Sequence, residues 1–385
     1  MRDVLQLTGV FLFHLRICLV TKVPLISRPS DDDAGGQYAA VMRQYDLNLR
    51  NYAQVSGGFS GADVIRVETD DDRTWALRFV PRHVALPLPR IRRLHQLLQE
   101  VRQLGITAIP VPMADLNGQT VRPSPFGYWQ LEPWQPGIPL TGNQLLPEHV
   151  LNAVAVLAQF HDAAAASLSD SPPNEWFMNT VNVSPAVRRR LQLVCNLRNG
   201  GLGQLISAVG NETDVEFREL ARTVCSVLSS RLAVLDVQLR RVSETLFVLQ
   251  PVFRDLWSSH LLFSDTQVTG LIDTSACGTD HVLADLTRLQ RSWYGADNSE
   301  VLKLAACFEK SRPLSVSEHL LLRALDESSV MLSPVTWLKR RFESRETANA
   351  GAGTSRGGLD GEICPPAVVA RLRQLTTTMV DFKPL

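Results

Sequence analysis

Asp255, His260 and Asp273 are three residues of ligand type that one short stretch can bring together. Leu261-Leu262-Phe263 runs outward as an apolar strand, the polar turn Asp265-Thr266-Gln267 reverses it, and Val268 to Ile272 runs back. A hairpin of that kind returns Asp273 to the level of His260. Asp255 sits on the loop that enters the first strand, at the same end of the hairpin. Asp273 follows an apolar strand directly, which puts its carboxylate at the edge of the core, facing a cleft. A carboxylate that accepts or orients a hydroxyl, beside oxygen or nitrogen ligands for a divalent cation on a triphosphate, is the set that phosphoryl transfer requires.

The rest of the chain must supply a scaffold for that hairpin. Strand-like alternation runs from Gln54 to Val80: Ala62 to Thr69 carries Val64, Ile65 and Val67, Asp70-Asp71-Asp72 makes a turn, and Trp75 to Val80 alternates again. Ile91, Leu94, Leu97, Leu98, Val101 and Leu104 then recur at helical spacing up to Gly105. A further strand spans Tyr128 to Pro133, and Pro133, Pro136 and Gly137 break the chain as a hinge requires. Helices are expected over 147–165, 186–197, 215–245 and 282–344, with a β interruption from Phe247 to Ile272 and a last helix from Pro366 to Met379. Asp31-Asp32-Asp33-Ala34-Gly35-Gly36 reads as a linker, and 345–361, with its Ala-Gly-Ala-Gly and Arg-Gly-Gly, as a mobile loop. The organisation is therefore an extension over 1–40, a first lobe over 41–135 and a mainly helical lobe over 136–385.

Composition narrows the partners. The 385 residues are 45% hydrophobic and 20% charged, which suits a globular protein with a large core. Lys+Arg and Asp+Glu both number 39, so neither a basic excess nor a basic stripe points to nucleic acid. The six cysteines, Cys18, Cys195, Cys225, Cys277, Cys307 and Cys364, form no C-x-x-C pair and suit a reducing cytoplasm. Val4 to Val20 is apolar, but His14 and Arg16 interrupt it well short of the roughly 20 residues a spanning helix needs. A cytoplasmic protein without a membrane anchor is the expectation.

The stretch Val252-Phe253-Arg254-Asp255-Leu256-Trp257-Ser258-Ser259-His260, with its hairpin and Ile272-Asp273, resembles a known pattern. It is similar to the catalytic loop and metal-binding motif, H-x-D-x-x-x-x-N then I-D, of the aminoglycoside phosphotransferase and choline kinase superfamily. The resemblance runs over roughly residues 50–340 and is strongest between 250 and 290. It implies an α+β, bilobal, protein-kinase-like fold: a small antiparallel β N-lobe with one helix, and a mainly helical C-lobe containing a catalytic β-hairpin. By that resemblance Asp255 is the catalytic carboxylate, and Asp273 with His260 holds the metal. Ala284-Asp285-Leu286 resembles the family's D-L-A at the start of a helix, with Asp285 as its N-terminal cap. Phe253 stands where the family has His, and His260 where it has Asn. The R-D-x-W-x-x-H run also resembles lipopolysaccharide-core sugar kinases, in which a His occupies the Asn position.

The same resemblance assigns a nucleotide site in the first lobe. Gly57, Gly58, Phe59 and Ser60 precede a strand and by the resemblance lie over phosphates, although the residues alone favour a plain glycine turn. Arg78, in Trp75-Ala76-Leu77-Arg78-Phe79, takes the place of the phosphate-contacting Lys, or else points outward from its strand. Glu132 lies in the hinge, whose backbone bonds adenine. Glu100 either pairs with Arg78 or is solvated, His161 reads as a structural histidine, and Trp257 either flanks the acceptor pocket or packs the loop. The implied cofactors are ATP, or another nucleoside triphosphate, and Mg²⁺; the implied partner is a small-molecule hydroxyl acceptor. The function expected is transfer of the γ-phosphoryl group to that hydroxyl. The alternative is a pseudokinase, a nucleotide-binding or scaffold module without transfer, for which Phe253, His260 and Arg78 are the motive.

Overall fold

The computed structural model describes residues 31–55, 61–168, 175–350 and 364–385, the side chains of 31–34 and 343–350 excepted. These residues divide into two compact units. Residues 31–92, 112–134 and 339–350 form the first, and 93–111, 135–338 and 364–385 the second.

The first unit is a five-stranded antiparallel sheet with a helix against it. Helix α1 (Asp31–Met42) leads to β1 (Leu49–Val55), β2 (Asp63–Thr69) and β3 (Thr74–Pro81). Helix α2 (Leu88–Gln103) follows, passing into the second unit from Arg93 onward, and β4 (Arg122–Ser124) and β5 (Gly127–Pro133) complete the sheet in the order β1-β2-β3-β5-β4. The alternation read in β2 and β3 is physical: Ile65, Val67, Trp75 and Leu77 enter one core with Leu131 of β5 and with Val41, Met42 and Tyr45 from the α1 end. Arg78 pairs in register with Gln130 across β3 and β5.

The second unit is mainly helical, with two small sheets. In chain order it contains β6 (Ile138–Pro139), α3 (Pro147–Ala166), β7 (Thr180–Asn182), α4 (Pro185–Asn196), α5 (Leu202–Gly210) and α6 (Val215–Val242). Then come β8 (Phe247–Val252), β9 (Leu261–Ser264), β10 (Gln267–Leu271) and β11 (Gly278–Asp280). Helices α7 (Leu283–Tyr294), α8 (Asn298–Ser311), α9 (Val316–Ala350) and α10 (Pro366–Asp381) end the chain. The sheets run β10-β9-β6 and β11-β8-β7. Helix starts carry local signals: the Ser184 hydroxyl accepts from the Val187 N–H, the Asp214 carboxylate from Phe217, and Asp297 from Ser299 and Glu300. Each such cap is worth about 1 kcal/mol. Gly137, at φ 100°, lets the chain pass over β9, where a Cβ would lie 2.6 Å from the Phe263 carbonyl oxygen.

Two expectations are corrected. Residues 31–36 are the first turns of α1 and no linker; Gly35 sits where the helix meets the Tyr52 ring, and a Cβ there would touch it at 3.3 Å. The expected mobile loop begins too early, because α9 continues to Ala350; its remainder, 351–361, lies outside the described residues, as do residues 1–30 of the expected extension. Among the described residues, no helix is long and apolar enough to cross a membrane.

Candidate active site

β8 is the inner strand of its sheet and is buried from Leu249 to Val252. Phe253 continues inward, stacked on Phe160 of α3 with ring centroids 4.4 Å apart. Arg254 then reverses the chain at φ 67°, a left-handed conformation that costs a non-glycine residue about 1–2 kcal/mol. Asp285, wholly buried in the first turn of α7, holds it there. Its Oδ2 accepts the Phe253 N–H at 2.8 Å and its Oδ1 the Arg254 N–H at 2.6 Å. His161 of α3 completes the clamp, its Nε2 lying 3.0 Å from Oδ2. Asp285 was expected to cap its own helix; instead its two oxygens are spent on the loop, and Val282 precedes α7 without a side-chain cap.

The reversal turns Asp255 outward, its side chain 49% exposed. Asp255 Oδ1 accepts the indole Nε1–H of Trp257 at 2.9 Å and lies 3.4 Å from Nη2 of Arg288 on α7. The loop is fixed to the same helix by Ser258, whose N–H donates to the Ser292 hydroxyl at 2.8 Å. Two guanidinium groups stack on the Trp257 ring, Arg288 at 4.7 Å and Arg371 of α10 at 3.7 Å from the centroid. A groove lined by Trp257, Arg288, Ser292, Ser333, Arg371 and Gln374 begins there. Burial pulls the Arg371 guanidinium down to about 10, the like charge of Arg288 adds to the shift, and Asp255 opposes it.

The hairpin has the anticipated register. Leu261 pairs with Leu271, and the Ile272 N–H donates to the His260 carbonyl at 2.9 Å, which brings Asp273 beside His260. Asp273 is left-handed, at φ 58° and ψ 59°, and its Oδ1 accepts from the Ser275 hydroxyl at 3.0 Å. The other oxygen is 3.7 Å from His260 Nε2. The Trp257 N–H approaches His260 Nδ1 at 3.5 Å, the outer limit of a hydrogen bond, and His260 Nε2 faces Asp273. Among the described residues no three His, Cys, Asp or Glu side chains gather as a metal cage.

In the first unit, Arg78 Nη1 lies 3.4 Å from Glu132 Oε1, with both side chains largely buried. Gln130 Nε2 reaches the second Glu132 oxygen at 3.4 Å. Gly57, Gly58, Phe59 and Ser60 lie outside the described residues. Glu100, in the second unit, is a partly exposed surface carboxylate held by Gln96 of its own helix at 2.9 Å and by Arg93 at 3.4 Å. The residues missed by sequence reasoning are Arg288 and Arg371. Arg288 carried a usable signal, since it lies three positions beyond Asp285 and therefore on the same helix face; Arg371 carried none.

The sequence matches the phosphotransferase enzyme family over residues 51–306. No curated protein sequence matches the chain. Among solved structures, an aminoglycoside phosphotransferase from Alicyclobacillus acidocaldarius is similar with a TM-score of 0.53 at 16% identity, over 95% of this chain and 96% of that one. An amicoumacin kinase, solved with AMP-PNP and Ca²⁺, is similar with a TM-score of 0.59 at 12% identity, over 92% and 94% of the two chains. A spectinomycin phosphotransferase, solved with ADP and spectinomycin, gives 0.54 at 11% identity, over 89% and 98%. At these identities the likeness establishes the aminoglycoside-phosphotransferase, protein-kinase-like fold. With that fold, and a family match that spans more than half of its length, the chain belongs to the phosphotransferase enzyme family.

Proposed function

We propose that this protein is an ATP-dependent phosphotransferase that moves the γ-phosphoryl group to a hydroxyl of a small molecule. The observation that carries the reading is Asp255, a half-exposed carboxylate presented by a loop that Asp285 clamps through two backbone N–H groups. Asp255 accepts the hydroxyl proton as the substrate oxygen bonds to the γ-phosphorus and the bridging bond to the β-phosphate breaks, releasing ADP. Trp257 and Arg288 both hold Oδ1 of the Asp255 carboxylate, so little reorganisation is left for the reactive moment.

Asp273 is the residue fitted to a divalent cation: a partly exposed carboxylate at the hairpin base, one oxygen steadied by Ser275. Mg²⁺ on a triphosphate takes only one or two carboxylates, its other ligands being water and phosphate oxygens, and it neutralises charge on the β- and γ-phosphates. His260 in this reading orients Asp273 instead of ligating. Arg78, steadied by Glu132, and residues 57–60 position phosphates, and the backbone near Glu132 holds the base. The solved relatives with AMP-PNP and Ca²⁺, or with ADP and spectinomycin, support nucleotide, divalent metal and a small-molecule acceptor.

The test is ATP consumption across a panel of small hydroxyl compounds, with Asp255→Ala alongside. A positioned base contributes roughly 10²–10⁴-fold, so the variant loses turnover by that order while an AMP-PNP thermal shift in Mg²⁺ persists. Equal turnover would remove Asp255 from the mechanism. A module without transfer would show the thermal shift and no phosphate release that depends on Asp255.

A further inference from the structure

The groove beside Asp255 holds more positive charge than its neighbours neutralise. Arg371 donates to Gln374 of its own helix at 2.7 Å and stacks on Trp257, and among the described residues no carboxylate lies within ion-pair distance of it. Arg288 shares Asp255 with the Trp257 indole and reaches the Ser333 hydroxyl at 3.2 Å, while its buried Nε has no hydrogen-bond partner. Behind them, among the described residues, Arg190 donates to the Leu325 carbonyl and the Ser328 hydroxyl and to no carboxylate. Burial and the charge of Arg288 pull Arg190 down to about 9, so its charge adds to the same field. Asp280 and Asp326 offset part of the Arg190 charge from a distance, but their hydrogen-bonded pairs are with Arg189 and Ser184 and with Arg291, and Glu327 pairs with Arg231. Cations that outnumber the available carboxylates at the wall of a small surface groove of about 20 Å³ are matched to an anionic group, because guanidinium pairs bind oxyanions through forked, charge-assisted hydrogen bonds.

We propose that the acceptor is a small hydroxyl compound bearing an oxyanion, a carboxylate or a phosphate ester, with its hydroxyl at Asp255 and its anionic group between Arg288 and Arg371. This rests on the phosphotransferase reading and names its substrate class. The indole ties the two ends: its N–H is on Asp255 and its ring carries both arginines, so hydroxyl and anion are separated by no more than about the reach of one side chain. A polycationic amine would meet like charge at that wall.

The test pairs binding with transfer. Glycerol, glyceramide, D-glycerate and glycerol 3-phosphate, and homoserine beside homoserinol, are titrated while tryptophan fluorescence is followed in the wild type and in Trp257→Phe. The oxyanion members change the emission in the wild type and not in Trp257→Phe, and glycerate against glycerol 3-phosphate decides which oxyanion is preferred. Arg371→Gln weakens the oxyanion response roughly ten- to a hundred-fold, the range of one charge-assisted hydrogen bond, and leaves AMP-PNP binding unchanged; Arg371→Lys recovers part of the loss. Asp255→Ala, with one negative charge fewer, binds the oxyanions several-fold more tightly while losing transfer. Oxyanions that leave Trp257 silent, a preference for neutral or cationic partners, or Arg371→Gln acting on nucleotide alone would each overturn the proposal. The fluorescence arm needs no chemistry, so transfer that survives Asp255→Ala would refute the phosphotransferase mechanism and leave the oxyanion site standing.

Discussion

Asp285→Asn is the sharpest test of how the catalytic loop is held. Three donors converge on the Asp285 carboxylate: the N–H groups of Phe253 and Arg254, at 2.8 and 2.6 Å, and the His161 ring at 3.0 Å. A carboxamide of the same shape keeps one acceptor oxygen. If that oxygen serves Phe253 and His161, the amide NH₂ faces the Arg254 N–H, donor against donor, in a fully buried site. Leaving one buried donor unsatisfied costs about 1–3 kcal/mol, and the two surviving bonds lose the charge that roughly doubled their strength. The left-handed Arg254, no longer pinned, can then relax its roughly 1–2 kcal/mol of strain by abandoning the native loop. A destabilisation of about 3–4 kcal/mol follows, which for a unit of this size is a fall in Tm of about 6–16 °C. Differential scanning fluorimetry and urea unfolding measure it, and transfer falls as well because Asp255 is the next residue. His161→Ala in the Asp285→Asn background should add less than it does alone, since the two share one bond. A Tm within about 2 °C of the wild type, by the same scale, would refute the clamp.

The metal assignment predicts a split between two neighbours. Asp273→Asn raises the Mg²⁺ concentration for half-maximal transfer by about a hundred-fold, whereas His260→Ala raises it by about ten-fold or less, as for an orienting residue; equal effects would restore His260 as a ligand. At the start of α9, the His281 ring donates to Glu318 and, with Ser315, holds that carboxyl down at about 2 despite partial burial. Because the folded pKa is depressed from 4.5, the stabilisation is complete above about pH 5 and is lost as pH falls towards 2. After solvent screening it amounts to about 1–2 kcal/mol. Urea midpoints of wild type and Glu318→Gln should therefore differ most at pH 6.5, less at pH 3, and converge only near pH 2; a constant difference would show that the His281 and Ser315 contacts are not the cause.

Elements with signals of their own were legible. Strands β2 and β3 alternate because one face of each is core, and α3, α4 and α6 carry Pro or a capping side chain at their first turn. Strand β1 was missed but for its last two residues because nearly every residue in it is exposed, which leaves no alternation to read. The two- and three-residue strands β4, β6, β7 and β11 exist only through their partners. α1 was misread because three acidic residues followed by two glycines disfavour a helix locally, and burial of Val41 and Met42 under the sheet overrides that preference. The site divides along the same line. His260 and Asp273 flank one hairpin, and Asp255 lies on the loop leading into it, so one short segment carried all three, while Arg288 and Arg371 arrive on helices whose packing no local pattern encodes.

Phe253 shows why a family position can change without loss of the site. Phe253 stands where the family has His, and with His260 and Arg78 it was a motive for the pseudokinase alternative. In this chain the loop is supported from elsewhere: the Phe253 N–H is bound to Asp285, and His161 reaches the same carboxylate from α3. The side chain at 253 has only to fill space against Phe160, which a phenyl ring does while fully buried. A backbone clamp is indifferent to the side chains it holds, so sequence variation within the loop says little about its geometry. The residue whose identity matters is Asp285, thirty positions downstream of Asp255, because no other side chain of that size presents two anionic acceptors to two adjacent N–H groups.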